Sequence, residues 1–261
     1  MDLGIKNRVA LVMSAGGGLG SAIAIALARE GAKVAVSDQN ALALEETVSR
    51  IRTAGGIAHA FQADLADLNS VSAMVVNVRS TLGDPDILIN NSGGPPPSLA
   101  AGVAPQQWRN QFDSMVLSLM HLTDLLLPAM KQKGWGRIVT STSSGVVAPI
   151  PNLGMSNALR LALVGWSKTL ANEVAADGIC VNVVLPGRIA TDRIRALDEA
   201  RASREGKTYE EVVAASTASI PARRYGKPEE YADAVAFLAS ERAAFMTGSI
   251  VRVDGGMIAS I

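Results

Sequence analysis

Short apolar runs rich in β-branched residues alternate with longer segments of helical periodicity along the whole chain, and this alternation restricts the fold more than any other feature. RVALVM (8–13), AKVAVSD (32–38), IAHAFQAD (57–64), DILINN (86–91), GRIVTST (136–142), CVNVVLPG (180–187) and SIVRVDG (249–255) read as strands. Helices are expected at 20–31, 41–55, Ser70 to about Leu82, Pro105 to about Lys131, 151–173 and 228–239. Strands joined through helical crossovers run parallel, and a parallel sheet is covered by helices on both faces. Right-handed crossovers then give an α/β, doubly wound, Rossmann-type parallel sheet. Its 261 residues are ordinary for a single α/β domain, and no repeat or low-complexity tract divides 1–261. The cluster GGPPP (93–97) reads as a stiff loop, and 188–220, which hold no strand, as a helical insertion.

Composition removes several classes of partner. Lys plus Arg equals Asp plus Glu at 24 each, so no whole-molecule field favours nucleic acid or an anionic membrane. The single Cys180, inside GICVNVVL, reads as a small buried hydrophobe and permits no internal disulfide, which fits a reducing cytoplasm. MDLGIKNRVALVM lacks the apolar core and cleavage site of a signal peptide. No segment approaches the roughly 18 uninterrupted apolar residues that a membrane span needs. A soluble cytoplasmic protein is expected, with no metal site.

Ligands of such sheets sit beyond the carboxyl ends of the strands. The first such turn is MSAGGGLGSA, where glycines let the backbone approach a diphosphate that the following helix N-terminus stabilises. Placed between a strand and an Ala-rich helix, the turn reads as a nucleotide site; a tight turn without a ligand is the plainer alternative. Asp38 ends the second strand, where a carboxylate accepts bonds from ribose hydroxyls and repels a 2′-phosphate, favouring NAD over NADP. It equally suits the opening of the next helix. Asp64, at the end of the third strand, is placed to meet an adenine or to cap the segment after it.

Taken together, MSAGGGLG (pattern TGxxxGxG), NNSG at 90–93 (NNAG), GRIVTSTSS at 136–144, VNVVLPGRIAT at 181–191 (VNxxxPGxxxT) and YGKPEEYADAVAFLAS…TGSIVRVDGG resemble the short-chain dehydrogenase/reductase family, particularly its 3-oxoacyl-carrier-protein reductase-like members, over essentially the whole chain. The resemblance implies hydride transfer between a nicotinamide and a carbonyl or alcohol. It implies cofactor contacts from Ser14, Gly16, Gly18, Leu19, Gly20, Asp38, Asp64 and Leu65 in the first half of the chain. Asn91, Ser92, Gly93, Arg160, Pro186, Gly187, Ile189 and Thr191 complete that set. It also implies a homotetramer or homodimer built on the helices at 105–131 and 151–173.

The family uses a Tyr as general acid/base, a Lys four residues later that tunes it, a Ser that polarises the substrate oxygen, and an Asn that supports a proton-relay water. Here Ser143 matches the Ser, but the Tyr position falls on Ser156, the Lys position on Arg160 and the Asn position on Met115. The first glycine of the turn is Ser14. A Ser hydroxyl is a far weaker acid than a phenol, Arg keeps a charge but gives up no proton, and Met offers no comparable bond to a water. Tyr209, Tyr225 and Tyr231 lie downstream without a Lys four residues on, and His59 and His121 read as structural residues.

Two classes of function stay open on the residues alone. One is an oxidoreductase in which Ser143, Ser156 and Arg160 stabilise a developing oxyanion while the proton comes from water or substrate. The other is a nucleotide- or partner-binding protein without turnover, with Ser156 an ordinary first-turn residue and Arg160 facing solvent or a carboxylate. Residues 188–227 carry nine Lys/Arg against six Asp/Glu, a net of +3. In the family this region covers the substrate. The run reads as a solvated amphipathic helix, or as a basic lid for an anionic or acyl-carrier-bound substrate.

Overall fold

The structure, a computed structural model, describes residues 2–261. β1 (Val9–Met13), β2 (Lys33–Asp38), β3 (Ile57–Gln62), β4 (Ile87–Asn90), β5 (Gly136–Ser141), β6 (Ile179–Pro186) and β7 (Ile250–Val253) form one sheet in the order β3-β2-β1-β4-β5-β6-β7, every pairing parallel. Strands β1, β4 and β5 are buried at every residue, as expected for the centre of a sheet covered on both faces. The doubly wound α/β fold is as the sequence implies.

Helices α1 (Gly18–Arg29), α2 (Ala41–Thr53) and α9 (Pro228–Leu238) share one apolar layer with the sheet. Its members include Ile23, Leu27, Leu44, Ile51, Tyr231 and Val235. Helices α3 (Leu68–Leu82), α5 (Ser118–Lys133) and α6 (Gly154–Val174) cover the other face around Val71, Met74, Leu122, Leu126 and Leu170. Small residues make the first layer thin: a Cβ on Gly20 would lie 2.1 Å from the Ser14 carbonyl oxygen, so only glycine lets α1 sit this close to β1.

Three boundaries differ from the sequence expectation. The helix expected from Pro105 to Lys131 is two, α4 (Pro105–Phe112) and α5, joined by a π-turn over Asp113–Leu117. The third strand ends at Gln62 because its partner β2 ends at Asp38, whose carbonyl takes the last bond from Ala63 N, which leaves Asp64 in the loop. The helix expected at 151–173 starts at Gly154, after Asn152 takes a left-handed φ of 59°. Residues 188–220 hold two helices, α7 (Asp192–Glu205) and α8 (Tyr209–Ala218), both of which contribute to the cleft at the carboxyl edge of the sheet. Among the described residues no helix is long and apolar enough to cross a membrane.

Candidate functional site

Strand order reverses between β1 and β4, and the crevice beyond the carboxyl ends of these strands is where open α/β sheets bind ligands. Ser14 leaves β1 at φ 49°, and Gly18 opens α1 at φ 52° with Thr191 3.7 Å from where its Cβ would be. Nothing lies within 4 Å of a Cβ on Gly17, the N-cap of α1, so the first turn of the helix faces open space. Open space at a helix N-terminus framed by glycines fits a dinucleotide diphosphate. Asp38 ties this loop to β2: its carboxylate accepts from Gly16 N at 3.2 Å and Asn40 N at 3.0 Å. Asn40, not Asp38, caps α2.

A cleft of about 790 Å³ opens from this turn across the sheet edge to α7 and α8. Of the residues expected at a cofactor, Ser14, Gly18, Leu19, Asn91, Ser92 and Gly93 line it from the amino-terminal half. Arg160, Pro186, Gly187, Ile189 and Thr191 line it from the other. Gly16, Gly20, Asp38, Asp64 and Leu65 lie outside it. Gly20 lies under the turn and Leu65 packs into the core. Asp64 spends a carboxylate oxygen on Ala66 N at 2.8 Å, and Asp67, rather than Asp64, caps α3.

Ser143, Ser156 and Arg160 all line the cleft. Ser143 follows β5 and accepts from Gly145 N at 3.0 Å, so its own proton is free to donate. Asn157 brackets Ile150 with two hydrogen bonds, at 3.3 and 2.9 Å, and so pins the loop between β5 and α6. Ser156 is the third residue of α6, and Arg160 lies one turn on along the same face. The Arg160 guanidinium donates to the carbonyls of Ser141 at 3.4 Å, Ser92 at 3.2 Å and Gly93 at 3.2 Å, bridging the ends of β5 and β4. Burial brings its pKa down to about 10, with nearby Arg193 adding to the fall and Tyr231 opposing it. The plainer alternative for Arg160, a solvent- or carboxylate-facing side chain, does not describe it: it is buried, on carbonyls.

Met115 lies in the π-turn, packed with Val116, Leu119, Leu159 and Leu163 instead of facing the cleft. Tyr231 donates to Ser141 Oγ at 2.8 Å from behind the sheet, and burial pushes its phenol well above the usual range, so it does not replace the missing acid. His121 Nε2 pairs with Ser72 Oγ at 2.9 Å between α5 and α3. The lid charges divide. Arg195–Glu199 and Arg201–Glu205 are helix-surface pairs, Arg188 meets the buried Asp198, and Tyr225 donates to that carboxylate at 2.7 Å. Arg193 instead turns to the cleft wall and donates to the Pro95 carbonyl at 2.8 Å. Sequence reasoning missed Arg193 as a site residue, although a cation in the first turn of a helix opposes the helix dipole and is itself a signal.

A parallel sheet with this reversal, a glycine turn and a cleft running from that turn to α7 and α8 fit a dinucleotide-binding α/β domain. Residues 14–258 match the family model described as Enoyl-(Acyl carrier protein) reductase, and the chain belongs to the short-chain dehydrogenase/reductase family. The 3-oxoacyl-acyl-carrier-protein reductase FabG of Escherichia coli (strain K12) is 37% identical over 261 residues, covering 98% of this chain and 99% of its own. Nodulation protein G of Azospirillum brasilense is 33% identical over 254 residues, covering 97% and 99%. The crystal structure of L-sorbose reductase from Gluconobacter frateurii, complexed with NADPH and L-sorbose, superposes with a TM-score of 0.94 at 32% identity over 100% of both chains. The chain is an NAD(P)(H)-linked oxidoreductase of this family.

Proposed function

We propose that this chain reduces the carbonyl of a small molecule, or oxidises the corresponding alcohol, through an oxyanion site made of Ser143, Ser156 and Arg160 in place of a tyrosine acid. The nicotinamide, when bound, supplies or accepts the hydride. Ser143 and Ser156 donate hydrogen bonds to the substrate oxygen. Arg160, held by three backbone carbonyls, sets a fixed positive charge beside it that needs no reorganisation as charge develops. The proton comes from cleft water or from the substrate itself. What supports this reading is that all three residues line one cleft, which continues to the glycine turn.

The dinucleotide diphosphate is held by Ser14, Gly18 and Leu19, with Gly16 and Gly20 shaping the turn beneath it. Asp38 serves the adenosine ribose and Asn91, Ser92, Gly93, Pro186, Gly187, Ile189 and Thr191 the nicotinamide half, while Asp64 and Leu65, spent on the loop and the core, take no part. NAD is the preferred form: L-sorbose reductase holds NADPH, but here a 2′-phosphate would meet the Asp38 carboxylate. Acyl-carrier-bound substrates, as the FabG name implies for that relative, are one candidate class. Exposed Phe112, Leu117 and Leu161 support a homodimer or homotetramer through the helices at 105–133 and 154–174. The free Cys180 suits the cytoplasm.

The test is NADH oxidation against a panel of carbonyl compounds, in wild type and in two double variants. Ser156→Ala with Arg160→Ala abolishes turnover. Ser156→Tyr with Arg160→Lys, which restores the general acid and its tuning cation, raises kcat by roughly 10²–10⁴. Turnover that survives the alanine pair refutes the site assignment. NADH binding without turnover on any substrate refutes the enzyme.

A further inference from the structure

The cleft holds two guanidinium groups side by side and gives neither a carboxylate. Arg160 is 8% exposed, and its N–H groups reach the carbonyls of Ser141, Ser92 and Gly93. Arg193 reaches the carbonyl of Pro95. A Cβ on Gly94 would lie 3.0 Å from Arg193 Nη2 and 3.6 Å from Arg160 Nη2, so the two cations face each other across that glycine. Of the other arginines on this cleft, Arg188 pairs with Asp198 and Arg201 with Glu205, while Arg204 lines it without a salt bridge among the described residues. Among the described residues no acidic side chain forms a salt bridge with Arg160 or Arg193.

Three separate penalties fall on this pair. The charges repel, burial disfavours both charged forms, and Arg193 lies in the first turn of α7 against the helix dipole. A desolvated cation without a counter-charge is costly, and an arriving anion relieves all three terms at once. An independent observation points the same way. Ser92, 7% exposed on the same cleft loop, has a buried hydroxyl with no hydrogen-bond partner. Ser156, one turn before Arg160, is small where the family carries a ring, which leaves room beside the pair.

We propose that Arg160, Arg193 and Ser92 form an oxyanion-binding subsite over Gly94 that takes the carboxylate of an oxo-acid substrate. This rests on the proposed function and narrows its substrates to carbonyl compounds that carry a carboxylate. A cofactor diphosphate has the same oxyanion chemistry, but at the glycine turn Thr191 is the neighbour of Gly18, whereas the arginine pair lies at Gly94, so the titration with NADH present separates the two sites.

Calorimetric titration of malonate, with malonamide as its neutral counterpart, tests the subsite on the protein alone and on the protein saturated with NADH. Malonate binds in both states and malonamide at least tenfold more weakly. Arg193→Gln weakens malonate roughly ten- to hundredfold, as expected for the loss of a charge-assisted hydrogen bond. Arg193→Lys loses less than Arg193→Gln, and Ser92→Ala weakens malonate severalfold, so the subsite stays testable if one variant folds poorly. Equal binding of malonamide, unchanged malonate binding in both Arg193→Gln and Ser92→Ala, or displacement of malonate by NADH overturns it. The same titrations read NADH affinity separately, so failure of the nicotinamide reading is distinguishable from failure of the subsite.

Discussion

At the scale of single residues, Ser14 carries a backbone cost. A side chain at φ 49° sits in the left-handed region, which costs an L-residue roughly 1–2 kcal/mol. Glycine there removes that strain but adds about 0.5–1 kcal/mol of unfolded-state entropy. Ser14→Gly is therefore expected to stabilise the protein by about 0.5–1 kcal/mol, read as a thermal midpoint higher by about 1–4 °C. A lower midpoint would mean that the hydroxyl supplies a contact outweighing the strain. The same scale shows what spacing reveals. Ser156 and Arg160 were legible because four residues along a helix place two side chains on one face. Arg193 was not, because its role depends on meeting Arg160 over Gly94, on a loop far away in sequence.

Elements fix where the lid sits. Glu230 in the first turn of α9 takes both Nη atoms of Arg224, at 2.7 and 2.6 Å, and the N–H of Lys227 at 2.7 Å. These bonds join the segment after α8 to the helix start. Arg224, then the Lys227 N–H, pull the Glu230 carboxyl from its ordinary 4.5 to about 2. A depressed native pKa means that the clamp contributes fully above about pH 4.5 and fades as pH falls toward 2. Amides of 224–230, corrected for intrinsic exchange, should lose protection over that window in wild type. In Glu230→Gln they should be less protected at pH 6 and show no further step; a wild-type-like acid profile in the variant would assign the transition to another group. Element boundaries were the less legible part of the fold. Apolar periodicity runs unbroken through Pro105–Lys133, so the π-turn at Met115, which widens the helix by one residue, left no trace in the pattern. The end of β3 at Gln62 depends on pairing with Asp38, a long-range fact.

For the whole molecule, alternation alone was sufficient for the sheet, because parallel strands buried on both faces admit few other arrangements. What alternation leaves open is which dinucleotide the crevice selects, and that choice is measurable as stability. A ligand that binds only the native state adds about 2.7 kcal/mol at a hundred times its Kd. At 2–4 °C per kcal/mol for a chain near this length, NADH should raise the thermal midpoint by about 5–10 °C. On the proposed preference for NAD, NADPH at the same concentration should raise it less, since the proposal sets its 2′-phosphate against the carboxylate that holds Gly16 N and Asn40 N. Asp38→Asn removes the charge and keeps an acceptor oxygen for only one of those two N–H groups; the loop is loosened for both cofactors alike, and the gap between them narrows. An equal or larger shift with NADPH in wild type would show that the Asp38 carboxylate faces away from the ribose, and the preference for NAD would fall with it.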